Sequence, residues 1–389
     1  MRILHCITSL DPANGGTVEG IKRLGQALVR QGHFVEVVST DQARAPWVAE
    51  FPLPVHALGP GNNRYGYSRQ LVPWLRSNVG RFDMVVVDGI WQYHSLAVWR
   101  ALRKTEKPYV VFPHGMLDPW FKRTYPMKHF KKWLYWPWAE YRVLRDATRV
   151  IFTSEEERAL ASESFWLYRV KEAVVNYGTA DPPPLSHEQR EKLLNRFPQL
   201  RGKRVFLFLG RIHPKKGCDI LLESFGSLLP AQTDLHLLMA GPGPERLRKS
   251  LEKLAARVGI AEHVTWAGEL HGADKWGAFR AAEAFVLPSH QENFGIAVAE
   301  ALACGVPVLI TDKVNIWQEI AADRAGIVAS DTLAGVEGLL RRWLAIPEGE
   351  RAAMATRARD SFLRRFEISR TARAFLKLIQ SELNGTGHG

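Results

Sequence analysis

The chain has 389 residues, 46% hydrophobic and 24% charged; that length supports two domains with full cores, and the balance is ordinary for a globular protein. Its net charge of +12 points to an anionic partner: nucleic acid, a phospholipid surface or a phosphorylated substrate. Three cysteines without paired spacing (Cys6, Cys218, Cys304) argue against a disulfide framework or zinc site and fit a reducing compartment. No apolar run reaches membrane-spanning length, and MRILHCITSL reads as a first strand instead of a signal peptide.

Arg2–Thr8 reads as an apolar strand. The turn-rich SLDPANGGTVEG follows, then a helix from about Thr17 to Arg30. Asn14-Gly15-Gly16 therefore forms a glycine loop between strand and helix, able to cradle a phosphate or let a sugar approach backbone. Phe34–Ser39, Met84–Val87, Tyr109–Phe112 and Val150–Phe152 read as further buried strands with helical segments between them. This alternation predicts a parallel, doubly wound sheet. Residues 100–149 carry 12 Lys+Arg against 4 Asp+Glu, so much of the positive charge is concentrated there.

Asn176–Pro184 reads as a linker, because three consecutive prolines forbid both helix and central strand. The pattern then restarts. Strands are expected at Val205–Leu209, Leu235–Met239, Val264–Ala267, Ala284–Leu287, Pro307–Ile310 and Ile327–Val328. Helices lie between them, and the last third is helical and basic. The predicted organisation is 1–180 plus a C-terminal crossover helix at about 369–389, and 185–368: two similar α/β domains facing one cleft.

The stretch Ser289–Gly305 concentrates the candidate chemistry. Glu292 falls on a loop just beyond a strand, and Phe294-Gly295-Ile296 opens a helix whose free N–H groups favour an anion. Glu300 is the only charged side chain from Ile296 to Gly305. A carboxylate on so apolar a helix needs partners or a wet cleft, and two vicinal ribose hydroxyls would suit its two oxygens. A core carboxylate paired to an arginine is the alternative. Gly210-Arg211 ends the first strand of the second half, and Lys215-Lys216-Gly217 opens its helix. A strand-end Arg with a helix-start Lys can clamp a diphosphate, and Lys215 competes with Lys216 for that role. No Asp-x-Asp is present, so Arg211, Lys216 and the helix N-terminus would balance the diphosphate, and the expected chemistry needs no metal or other cofactor.

Gly210-Arg211 with Lys216-Gly217, Ala240-Gly241-Pro242-Gly243-Pro244, Pro288-Ser289 with Glu292-Asn293-Phe294-Gly295, Glu300-Ala301, and Gly305-Val306-Pro307-Val308 together resemble the retaining glycosyltransferases of family 4, whose fold is GT-B. The first half resembles them through its glycine loop and His114-Gly115. The resemblance implies two Rossmann-like domains and transfer of a sugar from a nucleotide-diphosphate donor to a hydroxyl of a glycan or lipid-linked acceptor, with retention. It implies that Glu292 contacts donor-sugar hydroxyls and Glu300 holds the ribose. Arg211 and Lys216 would neutralise the diphosphate, and the backbone of Gly295 and Ile296 would donate to it. Asn293, Phe294 and Gly241 would belong to the donor pocket. Gly16 would approach the donor phosphate or acceptor, and His114 would lie near the reacting sugar.

Lys122–Arg145 interleaves Trp133, Tyr135, Trp136, Trp138 and Tyr141 with lysines and arginines. Such a stretch fits an anionic membrane surface, an acceptor wall using Trp133 and Trp136 beside Asn14 and Gly15, or a helix whose aromatics are core. A cytoplasmic enzyme, peripheral to the membrane, is the resulting expectation, in polysaccharide or glycolipid synthesis. A nucleotide-sugar epimerase of the same architecture and a basic membrane- or nucleic-acid-binding module are the alternatives; no nucleic-acid motif accompanies the charge.

Overall fold

In a computed structural model, residues 1–62, 64–184, 187–229 and 232–385 are described. Residues 185–186, at the start of the expected second domain, and 386–389, at the end of the expected crossover helix, lie outside these. The chain divides into two compact units: Met1–Ala180 with Ile368–Gly389, and Asp181–Glu367.

The first unit holds β1 (Arg2–Cys6), β2 (Phe34–Ser39), β3 (Val55–Ala57), β4 (Met84–Asp88), β5 (Tyr109–Phe112), β6 (Arg149–Phe152) and β7 (Glu172–Val174). They form one parallel sheet of order β3-β2-β1-β4-β5-β6-β7. Ile3 stands beside Val35 on one side and Met84 on the other. The central strands are apolar at almost every position, as strands covered on both faces must be; all five residues of β4 are buried. The helix Ile368–Gly385 belongs to this unit. Ile368, Ala372, Phe375 and Ile379, at helical spacing, pack into the core layer that also holds Ile21, Leu24 and Leu28 of the helix Gly16–Arg30.

The second unit holds β8 (Arg204–Leu209), β9 (Leu235–Ala240), β10 (Val264–Gly268), β11 (Ala282–Leu287), β12 (Val308–Thr311) and β13 (Gly326–Ala329). Their order is β10-β9-β8-β11-β12-β13, again parallel. In each sheet the winding reverses beside the first strand, between β1 and β4 and between β8 and β11. A crevice opens beyond the strand ends at such a reversal, and ligands bind there.

All six strands expected in the second half are present. The first half contains two more than expected, β3 and β7. Each has three half-buried residues and sits at a sheet edge, too short for any periodicity to register. The first strand ends at Cys6 instead of Thr8, because the chain leaves the sheet to form the tight turn Pro12–Asn14.

Candidate active site

In the second unit the loops after β8 and β11 flank the winding reversal. After β8 the His213 side chain accepts from the Lys215 N–H at 3.2 Å and starts the turn Pro214–Lys216. Gly217 ends that turn at φ 63°, where a Cβ would stand 2.1 Å from the Pro288 carbonyl oxygen. Only glycine allows this approach. The His290 N–H completes it by donating to the Lys215 carbonyl at 2.8 Å. Gly217→Ala is therefore expected to lower unfolding stability by about 2 kcal/mol through the positive φ alone, with the steric conflict added. The urea midpoint measures it.

This packing delivers Lys216, 9% exposed, to the Glu292 carboxylate, with which it forms an ion pair. Glu292 is itself pinned. Its N–H donates to the Lys313 carbonyl (2.9 Å), and its carbonyl accepts from the Asn315 N–H (3.0 Å). Burial, with repulsion from Lys215 and Arg211, pulls the Lys216 ammonium down to about 7, while the carboxylate against it works the other way. The two lysines take different partners: Lys215 reaches the Gln291 side-chain oxygen at 3.3 Å, and Lys216 holds the acid. Arg211 is exposed.

Gly295 adopts φ 76° and caps the helix Ile296–Ala303, so the N–H groups at the start of that helix open at the end of β11. Asn293 accepts from the Asn315 amide at 3.4 Å. The Phe294 ring is buried edge-on against Phe366, 5.8 Å between centroids. Phe294 is therefore a core side chain, and only its backbone can serve a donor. Gly241 donates to the Gly268 carbonyl at 2.7 Å, and a Cβ on it would lie 2.0 Å from the Gly210 carbonyl oxygen. It locks the loops after β8, β9 and β10 together.

Glu300 is 3% exposed, as its apolar helix implied, and accepts from the Lys275 ammonium at 2.9 Å. The pairing expected for a core carboxylate is present, with lysine in place of arginine. Lys275, in the helix Gly272–Ala281, also stands 4.4 Å from the centroid of the Trp276 ring. It sits in no recognisable motif, so nothing in the sequence singled it out.

In the first unit the glycine loop is the short turn Pro12–Asn14, capped by Asp11, with Gly15 at φ 72° and Gly16 opening the helix. Asn14 and Gly16 are exposed. His114 follows β5 at φ 51°, unusual for a non-glycine residue. Its Nε2 lies 3.2 Å from one Asp88 carboxylate oxygen, and His5 Nδ1 lies 2.7 Å from the other. Burial opposes ionisation of Asp88, but His5 and His114 hold its pKa below the usual carboxylate range. The sequence reading singled out His114 but missed Asp88 and His5, which approach it only once β1, β4 and β5 lie side by side. Trp133 is exposed. Trp136 is fully buried, stacked 4.2 Å from Phe165, with its Nε1–H donating to the Leu167 carbonyl at 2.7 Å. Trp136 is core and forms no acceptor wall.

Among the described residues no group of three or more His, Cys, Asp or Glu side chains is placed to hold a metal ion.

Residues 189–361 match the model of the glycosyl transferases group 1, and residues 15–178 match that of the glycosyl transferase 4-like domain. The chain is 27% identical over 269 residues to the lipopolysaccharide core biosynthesis mannosyltransferase LpsB of Rhizobium meliloti, covering 61% of this chain and 74% of that one. It is 28% identical to the phosphatidyl-myo-inositol mannosyltransferase of Mycobacterium leprae, over 80% of this chain and 79% of that one. It spans less than half the length of the D-inositol 3-phosphate glycosyltransferases it also matches. The fold superposes on Anabaena Alr3699/HepE, solved with UDP-glucose, at a TM-score of 0.77 and 18% identity, over 98% of this chain and 100% of that one. With two parallel α/β units matched in turn by these two models, the chain belongs to the group 1 glycosyltransferases of GT-B fold.

Proposed function

We propose that the protein transfers a sugar from a nucleotide-diphosphate donor to a hydroxyl of a glycan or lipid-linked acceptor, with retention at the anomeric carbon and without a divalent ion. The observation that carries this reading is the pair of buried Lys216 with half-buried Glu292, on the loop that leads into the N-terminus of the helix Ile296–Ala303. With no donor bound, the two side chains neutralise one another. A donor takes both: its diphosphate draws the ammonium, and its sugar hydroxyls take the carboxylate.

As the donor C1–O bond breaks, negative charge grows on the leaving diphosphate. Lys216, Arg211 and the N–H groups at Gly295 and Ile296 stabilise it without reorganising. The acceptor oxygen attacks C1 from the face the diphosphate leaves, and its proton passes to a donor phosphate oxygen. Glu300 accepts from the ribose hydroxyls, and Lys275 shifts or shares that carboxylate. In the first unit, acceptor handling falls to the strand ends around His114, whose ring Asp88 orients. A cytoplasmic setting fits three free cysteines and a nucleotide-sugar co-substrate.

A thermal-shift panel of nucleotide-diphosphate sugars, run with and without EDTA, tests the reading. The matching donor at about 100 times its Kd should add ~2.7 kcal/mol of stability, unchanged by EDTA. Loss of the shift in EDTA would refute the metal-free mechanism. Conversion of donor alone into an isomer would assign an epimerase. An NMR spectrum of the first-formed product decides retention.

A further inference from the structure

Positions 119–139 hold five basic residues, Lys122, Arg123, Lys128, Lys131 and Lys132, and no carboxylate. The helix Pro126–Tyr135 within this stretch has no buried residue. An amphipathic helix ordinarily turns its apolar face to the core. Here that face is turned outward: Met127, Phe130 and Leu134, spaced i, i+3 and i+7, are 74%, 56% and 53% exposed. Trp166, 66% exposed, enlarges the patch. The Trp133 ring bridges it, with centroids 6.5 Å from Phe130 and 6.3 Å from Trp166.

The cations accompany this surface. Lys122, Arg123, Lys128 and Lys131 are exposed. Lys132 is half-buried, its ammonium 4.5 Å from the Trp91 ring centroid and 5.6 Å from that of Phe121. It forms no ion pair with a carboxylate among the described residues. Beside it opens a hollow lined by Met116, Phe121, Tyr125, Lys128 and His129, with a single carboxylate, Asp118, among them. Five cations against the one carboxylate of the hollow, set beside an exposed apolar stripe, are completed by an anionic and partly apolar surface.

We infer that this face of the first unit docks on an anionic lipid bilayer. Met127, Phe130, Leu134 and Trp166 enter the acyl boundary, and the lysines extend along their stems to the phosphate headgroups. Tryptophans belong at that depth, where one edge of the ring is apolar and the other wet. Only charge complementarity and the exposed apolar stripe carry this assignment. It is independent of the donor site, and so is its test.

The full chain should co-float with vesicles of phosphatidylcholine containing about a third phosphatidylglycerol, and at least about tenfold less with pure phosphatidylcholine, since each cation near such a surface is worth roughly fivefold. Two variants read the two halves of the contact: Met127→Ser/Phe130→Ser/Leu134→Ser, and Lys122→Gln/Arg123→Gln/Lys128→Gln/Lys131→Gln. Each should weaken vesicle binding by about tenfold or more while keeping the wild-type melting temperature, because the sites are exposed. If the serine variant fails to fold, the glutamine variant still decides. Equal flotation on both vesicle types, or glutamine-variant binding equal to wild type, would overturn the proposal. So would self-association abolished by the serine variant with no vesicle binding, which would give the face to a second copy.

Discussion

Lys216→Ala is expected to lower kcat/KM by about 10²–10³-fold, the scale on which removing one fixed donor to a developing anion acts. Lys216 is placed by the Gly217 turn and by the backbone bond from His290 to Lys215, so its loss removes charge where the leaving diphosphate needs it. Lys216→Arg keeps the charge but lengthens the side chain in a site closed by Pro288 and Glu292. It should recover part of the binding and little of kcat. The variant also leaves Glu292 without its ammonium, so donor binding and turnover must be measured separately.

The same residue sets a pH dependence. The lysine pKa in the empty site is brought down to about 7 by burial, whereas a bound diphosphate favours the protonated form. Donor binding therefore takes up a proton once the pH exceeds the empty-site value. Affinity should be flat up to that value, which the Glu292 carboxylate holds at or above about 7, and fall beyond it by up to about tenfold per unit. Lys216→Ala should abolish the slope. A slope that survives in the variant would assign the titration elsewhere.

The two units differ in how far their sites can be read from sequence. In the second, the functional groups cluster in short runs after strands, where Gly217, Gly241 and Gly295 mark positions of positive φ or close backbone approach. Local runs therefore singled out Lys216 and Glu292 one at a time, and their meeting follows from β8 and β11 lying side by side. Lys275 was invisible because its partner Glu300 lies on another helix, and a lone lysine on a helix has no local signature. In the first unit, His5 on β1, Asp88 at the end of β4 and His114 just after β5 meet only in the tertiary fold, so nothing local marked His5 or Asp88. Trp136 and Phe294 show the opposite failure. Each stands in a run rich in functional-looking residues, yet packing drew the ring inward, against Phe165 and Phe366 respectively. The exposed stripe Met127–Leu134 has the helical period of a core face, and only its accessibility separates the two cases.

Glu300→Ala should have the largest effect on donor binding. Hydrogen bonds to a charged group contribute about 1.5–3 kcal/mol, so losing the acceptor of the ribose hydroxyls should weaken donor binding by roughly 10- to 150-fold. The variant also strips the Lys275 ammonium of its carboxylate. A fall in stability alone could then mimic a binding defect, since breaking a buried pair costs about 3–5 kcal/mol. Glu300→Gln with Lys275→Met separates the two. It keeps an acceptor oxygen, removes the stranded cation and should restore most of the melting temperature. If Glu300 meets the ribose, the double variant stays defective for the nucleotide, because a neutral amide is a weaker acceptor than a carboxylate. If Glu300 serves only to anchor Lys275, the double variant binds donor as the wild type does. Isothermal titration with the matching nucleoside diphosphate, which carries the ribose but not the transferred sugar, reads this difference without the sugar hydroxyls that Glu292 would contact.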